Sequence, residues 1–325
     1  MHKNYLEERN RIEKTDNQGE FWKPCPGTTQ GYLCCGYQII TPLTGCGMYC
    51  SYCILQAYFD QQHQVFYTNT DDLSTEIEKK MALWRGVVRF GTGEFGDSLY
   101  SEHLTGAARM VAGVLDKYPD ALVEFKTKST NIGSLHEIRN PQKVIIGFSM
   151  NTPAMISILE RNTASLKSRL EAARTCVEMG FSVAFHFDPM FVYDGWEQQY
   201  SEVVDMIYSY IKDAQKIAWC SLGGFRSMPS LKTLLKQNNT HLPLFSGELI
   251  TGADGKLRYF RPLRVALYKL MKRSFQAHDP QCTLYLCMES PEVWKESGMD
   301  VLIPNGLVDY LDKRAEKILG LNQET

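Results

Sequence analysis

The hydrophobic positions fall into short β-rich runs, each followed by a stretch with helical spacing. GYQIITPL (36–43) precedes a helix through SYCILQAYFD and a second near 71–84. GVVRFGTGE (86–94) precedes a helix near 101–117, and ALVEFKTK (121–128) a short one near 131–138. KVIIGFSMN (143–151) leads into helical turns through about 179. FSVAFHFDPM (181–190) leads into a helix near 197–213, and KIAWCSLGG (216–224) into one near 229–237. Strands that alternate with helices predict βαβ units on a parallel sheet. Six such units predict an α/β fold, a partial (β/α)6 TIM-type barrel that is curved and incompletely closed. The tail differs. SGELITGADGKLRYFRPL (246–263) reads as two strands around Asp254-Gly255, a β-hairpin pattern. The helix LRVALYKLMKRSF and the terminal helix DYLDKRAEKILG follow it. The expected division is an N-terminal extension over 1–35, the barrel over 36–240, and a hairpin and helical segment over 241–325 packed on it.

Composition narrows the class. The 325 residues are 44% hydrophobic and 22% charged, which excludes disordered, collagenous and coiled-coil chains. The opening MHKNYLEERNRIEKTDNQGE is charged, and no stretch approaches the ~20 apolar residues of a membrane span. No membrane association and a cytoplasmic location are therefore expected, with the ten cysteines as thiols rather than a disulfide framework. A net charge of −2 gives no general attraction to nucleic acid. Yet residues 256–273 hold seven basic side chains and no acidic one, interleaved with Tyr259, Phe260 and Tyr268. That pattern suits backbone contact and base stacking, with Lys256, Arg258, Tyr259 and Arg261 as candidate nucleic-acid contacts. An ordinary solvated helix face is the plainer alternative.

In parallel α/β folds ligands sit at the carboxyl ends of the strands. Those ends read GCGMYC, GTGE, KTKS, FSMN, HFDPM and SLGG. Cys46, Cys50 and Cys53 form C-x3-C-x2-C directly after the first strand. A [4Fe–4S] cluster normally takes four thiolates, so a compact motif of three leaves one iron open. An open iron can bind the amino and carboxylate groups of S-adenosylmethionine (SAM) and reduce its sulfonium to a 5′-deoxyadenosyl radical. Two alternatives compete. A structural zinc site would draw a fourth ligand from Cys25, Cys34 or Cys35, but the usual second knuckle is missing. Inert core thiols do not account for three on one glycine-flanked loop.

Weaker candidates surround this motif. Gly91 and Gly93 of GTGE would let the backbone approach a ligand, and Glu94 would receive an ammonium; a tight turn beside a solvated glutamate is the plain reading. Lys128 and Ser149 end the third and fourth strands, where a surface charge and a helix cap are the ordinary roles. Asp188 closes the fifth strand and, with Met190, is a candidate neighbour of the adenosine. Asp97 would orient a cofactor hydroxyl or cap the next helix. His186 reads as a satisfied core or rim histidine, and Cys176, Cys220, Cys282 and Cys287 as core thiols.

Taken together, CPGTTQGYLCCGY, GCGMYCSYCILQAYF, KTKS, FSMN, DPMFVYDGWEQQY (188–200) and GELITGADGKLRYFRPLR resemble the radical SAM superfamily. More narrowly, they resemble its spore photoproduct lyase family, over about residues 20–273. The resemblance implies a [4Fe–4S] cluster on Cys46, Cys50 and Cys53, with Tyr52 beside the cofactor. It places Glu94 on the SAM amino group and Lys128 and Ser149 on other parts of SAM, and makes Tyr52 and Glu94 the catalytic residues. It also implies hydrogen abstraction from a thymine dimer lesion, which splits without net SAM consumption. Damaged DNA would engage the hairpin, and a reductant such as flavodoxin or ferredoxin would supply the electron. Three departures stand out. The family carries a hydrogen-donating cysteine after the second strand, where GTGEFGDSL has none. It carries a tyrosine after the third cluster cysteine, where this chain has Ile54. GTGE itself reads like a general radical SAM turn. A radical SAM enzyme with another nucleotide, peptide or small-molecule substrate stays open, as does a zinc-stabilised nucleic-acid-binding protein.

Overall fold

Eight strands lie side by side in the order in which the chain runs. The computed structural model describes residues 7–27, 29–61, 63–237, 243–245 and 247–321. Its main sheet comprises β1 (Trp22–Pro24), β2 (Gln38–Ile40), β3 (Val88–Gly91), β4 (Ala121–Thr127), β5 (Val144–Ser149), β6 (Ser182–Met190), β7 (Ile217–Gly224) and β8 (Leu284–Leu286). β1 is antiparallel to β2, and every later pair is parallel. The sheet is an open, curled half-barrel whose edge strands are β1 and β8.

Helices cover its outer face, each by an apolar stripe at 3.6-residue spacing. Val111, Leu170, Val203 and Leu267 are among the buried residues of four of them, Ala107–Leu115, Leu166–Glu178, Trp196–Tyr210 and Arg261–His278; Leu307–Leu319 instead brings Asp312 to Arg89. Among the described residues no helix is long and apolar enough to cross a membrane. Alternate positions of each strand turn to the other, inner face. There the chain is not uniformly apolar: Arg89, Glu124, His186 and Ser221 are all buried.

The strand–helix alternation reads correctly, with local differences. The first run breaks at Pro42, which has no N–H to continue a ladder; Leu43–Thr44 instead pairs with Gln64–Tyr67, and that strand with Ile12–Thr15. The expected helix over 101–117 is divided by Gly106, whose φ of +64° interrupts it, into Glu102–Thr105 and Ala107–Leu115. The helix through SYCILQAYFD shrinks to one turn, Leu55–Tyr58, and the one near 131–138 is a 3-10 turn, Gly133–Glu137. Two further strands, β1 and β8, come from the segments assigned to the N-terminal extension and the C-terminal tail, so both are woven into the barrel sheet. The hairpin forms from Leu249–Thr251 and Leu257–Tyr259, and Arg226–Ser227 adds a third strand. Ser246 and the expected boundary at 240–241 lie outside the described residues.

Candidate metal and cofactor site at the mouth of the half-barrel

The carboxyl ends of the parallel strands surround a cavity of about 320 Å3, and Cys46, Cys50 and Cys53 all line it. The loop that carries them is held from four sides. Gly45 N–H donates to the Phe95 carbonyl at 2.8 Å, in a parallel bridge between Gly45 and Gly96. The Arg9 guanidinium donates to the Met48 carbonyl at 2.7 Å, and Asn162 Nδ2 to the Gly47 carbonyl at 2.9 Å. Tyr49–Cys50 pairs antiparallel with Glu160–Arg161. Gly47 admits the Tyr100 ring: a Cβ there would lie 2.1 Å from Tyr100 Cε1. Tyr52, between two of the cysteines, donates its hydroxyl to Glu160 Oε1 at 2.5 Å, and Glu160 is ion-paired to Arg169 inside the protein.

Burial pushes the Cys46 thiol up to about 12, helped by the negative charges of Asp97 and Cys53. Burial likewise holds the Cys50 thiol well above its ordinary value. A group that binds there displaces those protons and stabilises the thiolates in return. Among the described residues no three His, Cys, Asp or Glu side chains converge closely enough to share one metal ion. Three thiols on one firmly held loop at C-x3-C-x2-C spacing fit a polynuclear cluster with one thiolate per iron.

Beside this loop, Gly93 and Glu94 line the cavity. Glu94 is ion-paired to Lys126 at 2.8 Å, and the Lys126 ammonium sits 4.6 Å from the Tyr37 ring centroid. A Cβ on Gly93 would come within 2.6 Å of Lys126 Cβ, so glycine allows that approach. Gly91 does not line the cavity; a Cβ there would meet the Tyr37 hydroxyl at 1.8 Å, so its small size makes room for a side chain. Lys128 and Ser149 line the wall near Tyr52, with the Lys128 ammonium 5.8 Å from the Tyr52 ring centroid. Burial alone would lower that ammonium's pKa, but Cys50 and Glu160 outweigh it and raise it. Asp188 lines the cavity in a two-pronged pair with Arg226, at 2.9 and 2.7 Å. Met190 is buried in the core instead. Asp97 faces the cavity, but both of its oxygens are engaged, by Leu99 N, Tyr100 N and Thr127 Oγ1 and by Lys128 N.

The family model described as spore photoproduct lyase matches residues 35–237. The chain belongs to the spore photoproduct lyase family. The Clostridium acetobutylicum spore photoproduct lyase is 26% identical over 207 residues, 62% of this chain and 61% of that protein. The chain thus aligns to less than two thirds of that relative's length. The Bacillus subtilis spore photoproduct lyase is 25% identical over 270 residues, 82% of this chain and 74% of its own. Among solved structures, a mutant spore photoproduct lyase with bound AdoMet and dinucleoside spore photoproduct superposes with a TM-score of 0.78. It shares 22% identity and is covered over 87% of this chain and 84% of its own. That likeness establishes the shared fold.

Two features of this family member escape a reading of its sequence. The cavity is lined by four further thiols, Cys25, Cys34, Cys35 and Cys287. Cys287 is therefore not a core residue, unlike Cys176, Cys220 and Cys282. Burial pushes Cys25 up to about 11 and Cys287 up to about 12, which keeps both as thiols. Ile54 lines the wall where a tyrosine was expected. The inner layer of the sheet is the second feature. Glu124, Lys126 and His186 are charged or polar positions in otherwise apolar strands, and such residues are rarely buried without a task. That contrast was the available sign.

The hairpin corrects the basic-strip expectation. Arg258 is 2% exposed, ion-paired to Asp254 and packed over the Tyr32 ring at 4.6 Å. Tyr259 is tucked against Phe225, and its hydroxyl accepts from Val192 N at 3.2 Å. Arg261 is exposed and pairs with Glu296, while Arg264 is buried against Glu289. The acids that neutralise this stretch come from outside it in sequence, which is why it looked uniformly basic. Of the four candidates only Lys256 lines the cavity.

Proposed function

We propose that this chain is a radical SAM enzyme that repairs a thymine photoproduct in DNA. The carrying observation is that Cys46, Cys50 and Cys53 face one cavity together with Glu94, Lys128, Ser149 and Asp188, from five different strand ends and loops. In this reading the three thiolates hold a [4Fe–4S] cluster, which when bound reduces SAM to a 5′-deoxyadenosyl radical. The protein residues do the positioning. Glu94 accepts hydrogen bonds from the SAM ammonium, Lys128 and Ser149 offer donors to its other polar groups, and Tyr52 clamps the cluster loop. Asp188, held by Arg226, presents a fixed carboxylate to the adenosine. The structural relative bound to AdoMet and the dinucleoside photoproduct supports both ligand classes.

The four additional thiols support a route for returning hydrogen to the product, in place of the cysteine missing from 91–99. Lys256, at the cavity rim, is the hairpin residue suited to a DNA phosphate, with exposed Arg261 and Phe260 outside. A reductant such as flavodoxin or ferredoxin and a cytoplasmic, reducing setting follow from the needs of an open cluster. Anaerobic reconstitution followed by iron and sulfide analysis and assay with dinucleoside spore photoproduct tests the whole reading. The expected result is about four irons per chain, reductive SAM cleavage and thymine release. Stoichiometric zinc with no cluster and no SAM cleavage would refute it.

A further inference from the structure

At the floor of the cavity three inner-face residues, on β4, β6 and β7, form a chain of hydrogen bonds that crosses over β5. His186 Nε2 meets Glu124 Oε1 at 2.5 Å, and His186 Nδ1 meets Ser221 Oγ at 2.6 Å. Both ring nitrogens are engaged, so the imidazole cannot rotate without breaking a bond. Glu124 accepts two further hydrogen bonds: the Tyr37 hydroxyl donates to Oε2 at 3.0 Å and Trp219 Nε1 to Oε1 at 3.2 Å. Gly147 gives this chain its room, since a Cβ there would stand 2.6 Å from Glu124 Oε1 and 2.8 Å from His186 Nε2. His186 and Ser221 both line the cavity.

A barrel interior filled for stability alone is built from branched apolar side chains. Here a carboxylate, an imidazole and a hydroxyl occupy that layer, and desolvating them carries a cost that packing alone does not return. The end of the chain that meets the cavity is the Ser221 hydroxyl. A hydroxyl has one hydrogen to donate and two sites to accept with, and His186 uses only part of that capacity. In the next strand the register sets Tyr285 beside Ser221, and Tyr285 also lines the cavity. An aromatic ring next to a two-way hydrogen-bonding group offers a face for stacking and a partner for a polar edge.

We propose that Ser221 Oγ, oriented through His186 by Glu124, reads the imide edge of a pyrimidine base held in the cavity. The imide presents carbonyl acceptors and an N–H donor, and a hydroxyl answers either, whereas Lys126 or Asp188 would answer only one. Ser221 is the contact, and His186 and Glu124 are positioning residues. The proposal rests on the nucleobase-lesion reading above and adds the group that recognises the base.

The test is calorimetric binding of dinucleoside spore photoproduct to reconstituted, SAM-bound protein. Ser221→Ala is expected to weaken binding about tenfold, the effect of one lost hydrogen bond, with SAM affinity unchanged and a modest fall in Tm from the lost bond to His186. An analogue methylated at the imide nitrogen should lose about tenfold against wild type and nothing further against Ser221→Ala. His186→Asn, which keeps an amide nitrogen near the Nδ1 position, should retain most of the affinity that His186→Ala loses. Wild-type affinity in Ser221→Ala, or equal loss by the methylated analogue in both proteins, would overturn the assignment. Wild-type protein that binds SAM but no photoproduct would instead remove the nucleobase reading beneath it.

Discussion

The Tyr52 hydroxyl donates to Glu160 Oε1 at 2.5 Å, so the cysteine loop is anchored to a carboxylate that lies more than a hundred residues further on. Glu160 is balanced by Arg169, and both side chains are almost wholly buried. Removal of the guanidinium leaves an uncompensated charge inside the protein, which typically costs 3–5 kcal/mol. Arg169→Met should therefore lower unfolding stability by about 3–5 kcal/mol, and Tyr52→Phe by only about 1–2 kcal/mol. Urea denaturation of the purified variants measures both, and equal losses would show that the pair is not the anchor.

Gly47 sets a second condition on the same loop. A methyl group there meets the rigid Tyr100 ring at 2.1 Å, and the loop must shift to admit it. Gly47→Ala is expected to cost about 1–3 kcal/mol, as overpacking does, and to reduce iron uptake on reconstitution. Iron and sulfide content per chain is the readout; full loading would mean the loop tolerates the shift.

A pH dependence follows from the inner layer. Burial alone would raise the Glu124 carboxyl, but the charge and hydrogen bond of His186, with Lys126 and Tyr37, outweigh it and pull the value to about 2. A folded value below the unfolded one stabilises the protein above about pH 4.3, the ordinary glutamate range. That contribution is lost as the pH falls from there toward 2. The loss amounts to about 3 kcal/mol by linkage, and Glu124→Gln should lack this acid limb while starting less stable at neutral pH. Denaturant midpoints at several acidic pH values compare the slopes; parallel curves would contradict the assignment.

Cys46, Cys50 and Cys53 and the strand order around them were legible because both rest on local regularities, residue spacing and period-two or period-3.6 patterns. That Gly93, Glu94, Lys128, Ser149 and Asp188 line one cavity was legible through their positions at strand ends, whereas Gly91 of the same turn faces Tyr37 instead. The inner layer was not, because Glu124 and Lys126 acquire meaning only when the sheet curls and brings His186, Trp219 and Tyr37 against them. Cys287 follows the same rule: an apolar local context says nothing about whether the residue just past a short strand, Leu284–Leu286, will border a cavity. The hairpin failed in the opposite direction. Its charge balance was judged within one segment, whereas Glu289 and Glu296 reach it from a later part of the chain.

That failure yields its own expectation. Arg258→Ala removes the two-pronged partner of the buried Asp254 carboxylate, leaving it the longer pair with Lys256 at 3.7 Å, and should cost about 3 kcal/mol in stability, ahead of any effect on DNA. Arg261→Ala, an exposed pair with Glu296, should change stability by less than about 1 kcal/mol. A salt titration of DNA binding separates the roles, since loss of a phosphate contact lowers the slope of affinity against salt. An Arg258→Ala protein as stable as wild type would reverse this assignment.

The cavity thiols can be tested in deuterated solvent, where S–H exchanges freely. If a thiol returns hydrogen to the repaired base, deuterium should enter the thymine product. One of the Cys25, Cys34, Cys35 or Cys287 to alanine variants should then consume several-fold more SAM per lesion repaired. A variant lacking all four that repairs with wild-type economy would exclude them.

The sequential order of the main sheet has a consequence for how the chain acquires its site. Each strand pairs with the one just before it, so no pairing waits for a distant region to arrive. The two widest spans between paired strands are Gln38 to Phe90 and Cys220 to Leu284. These are the intervals that contain the cysteine loop and the hairpin. The entropy of closing a loop grows only with the logarithm of its length, about 0.6 kcal/mol for each doubling. The functional segments therefore sit where extra chain burdens folding least, and both can lengthen or diverge while the barrel around them keeps its register.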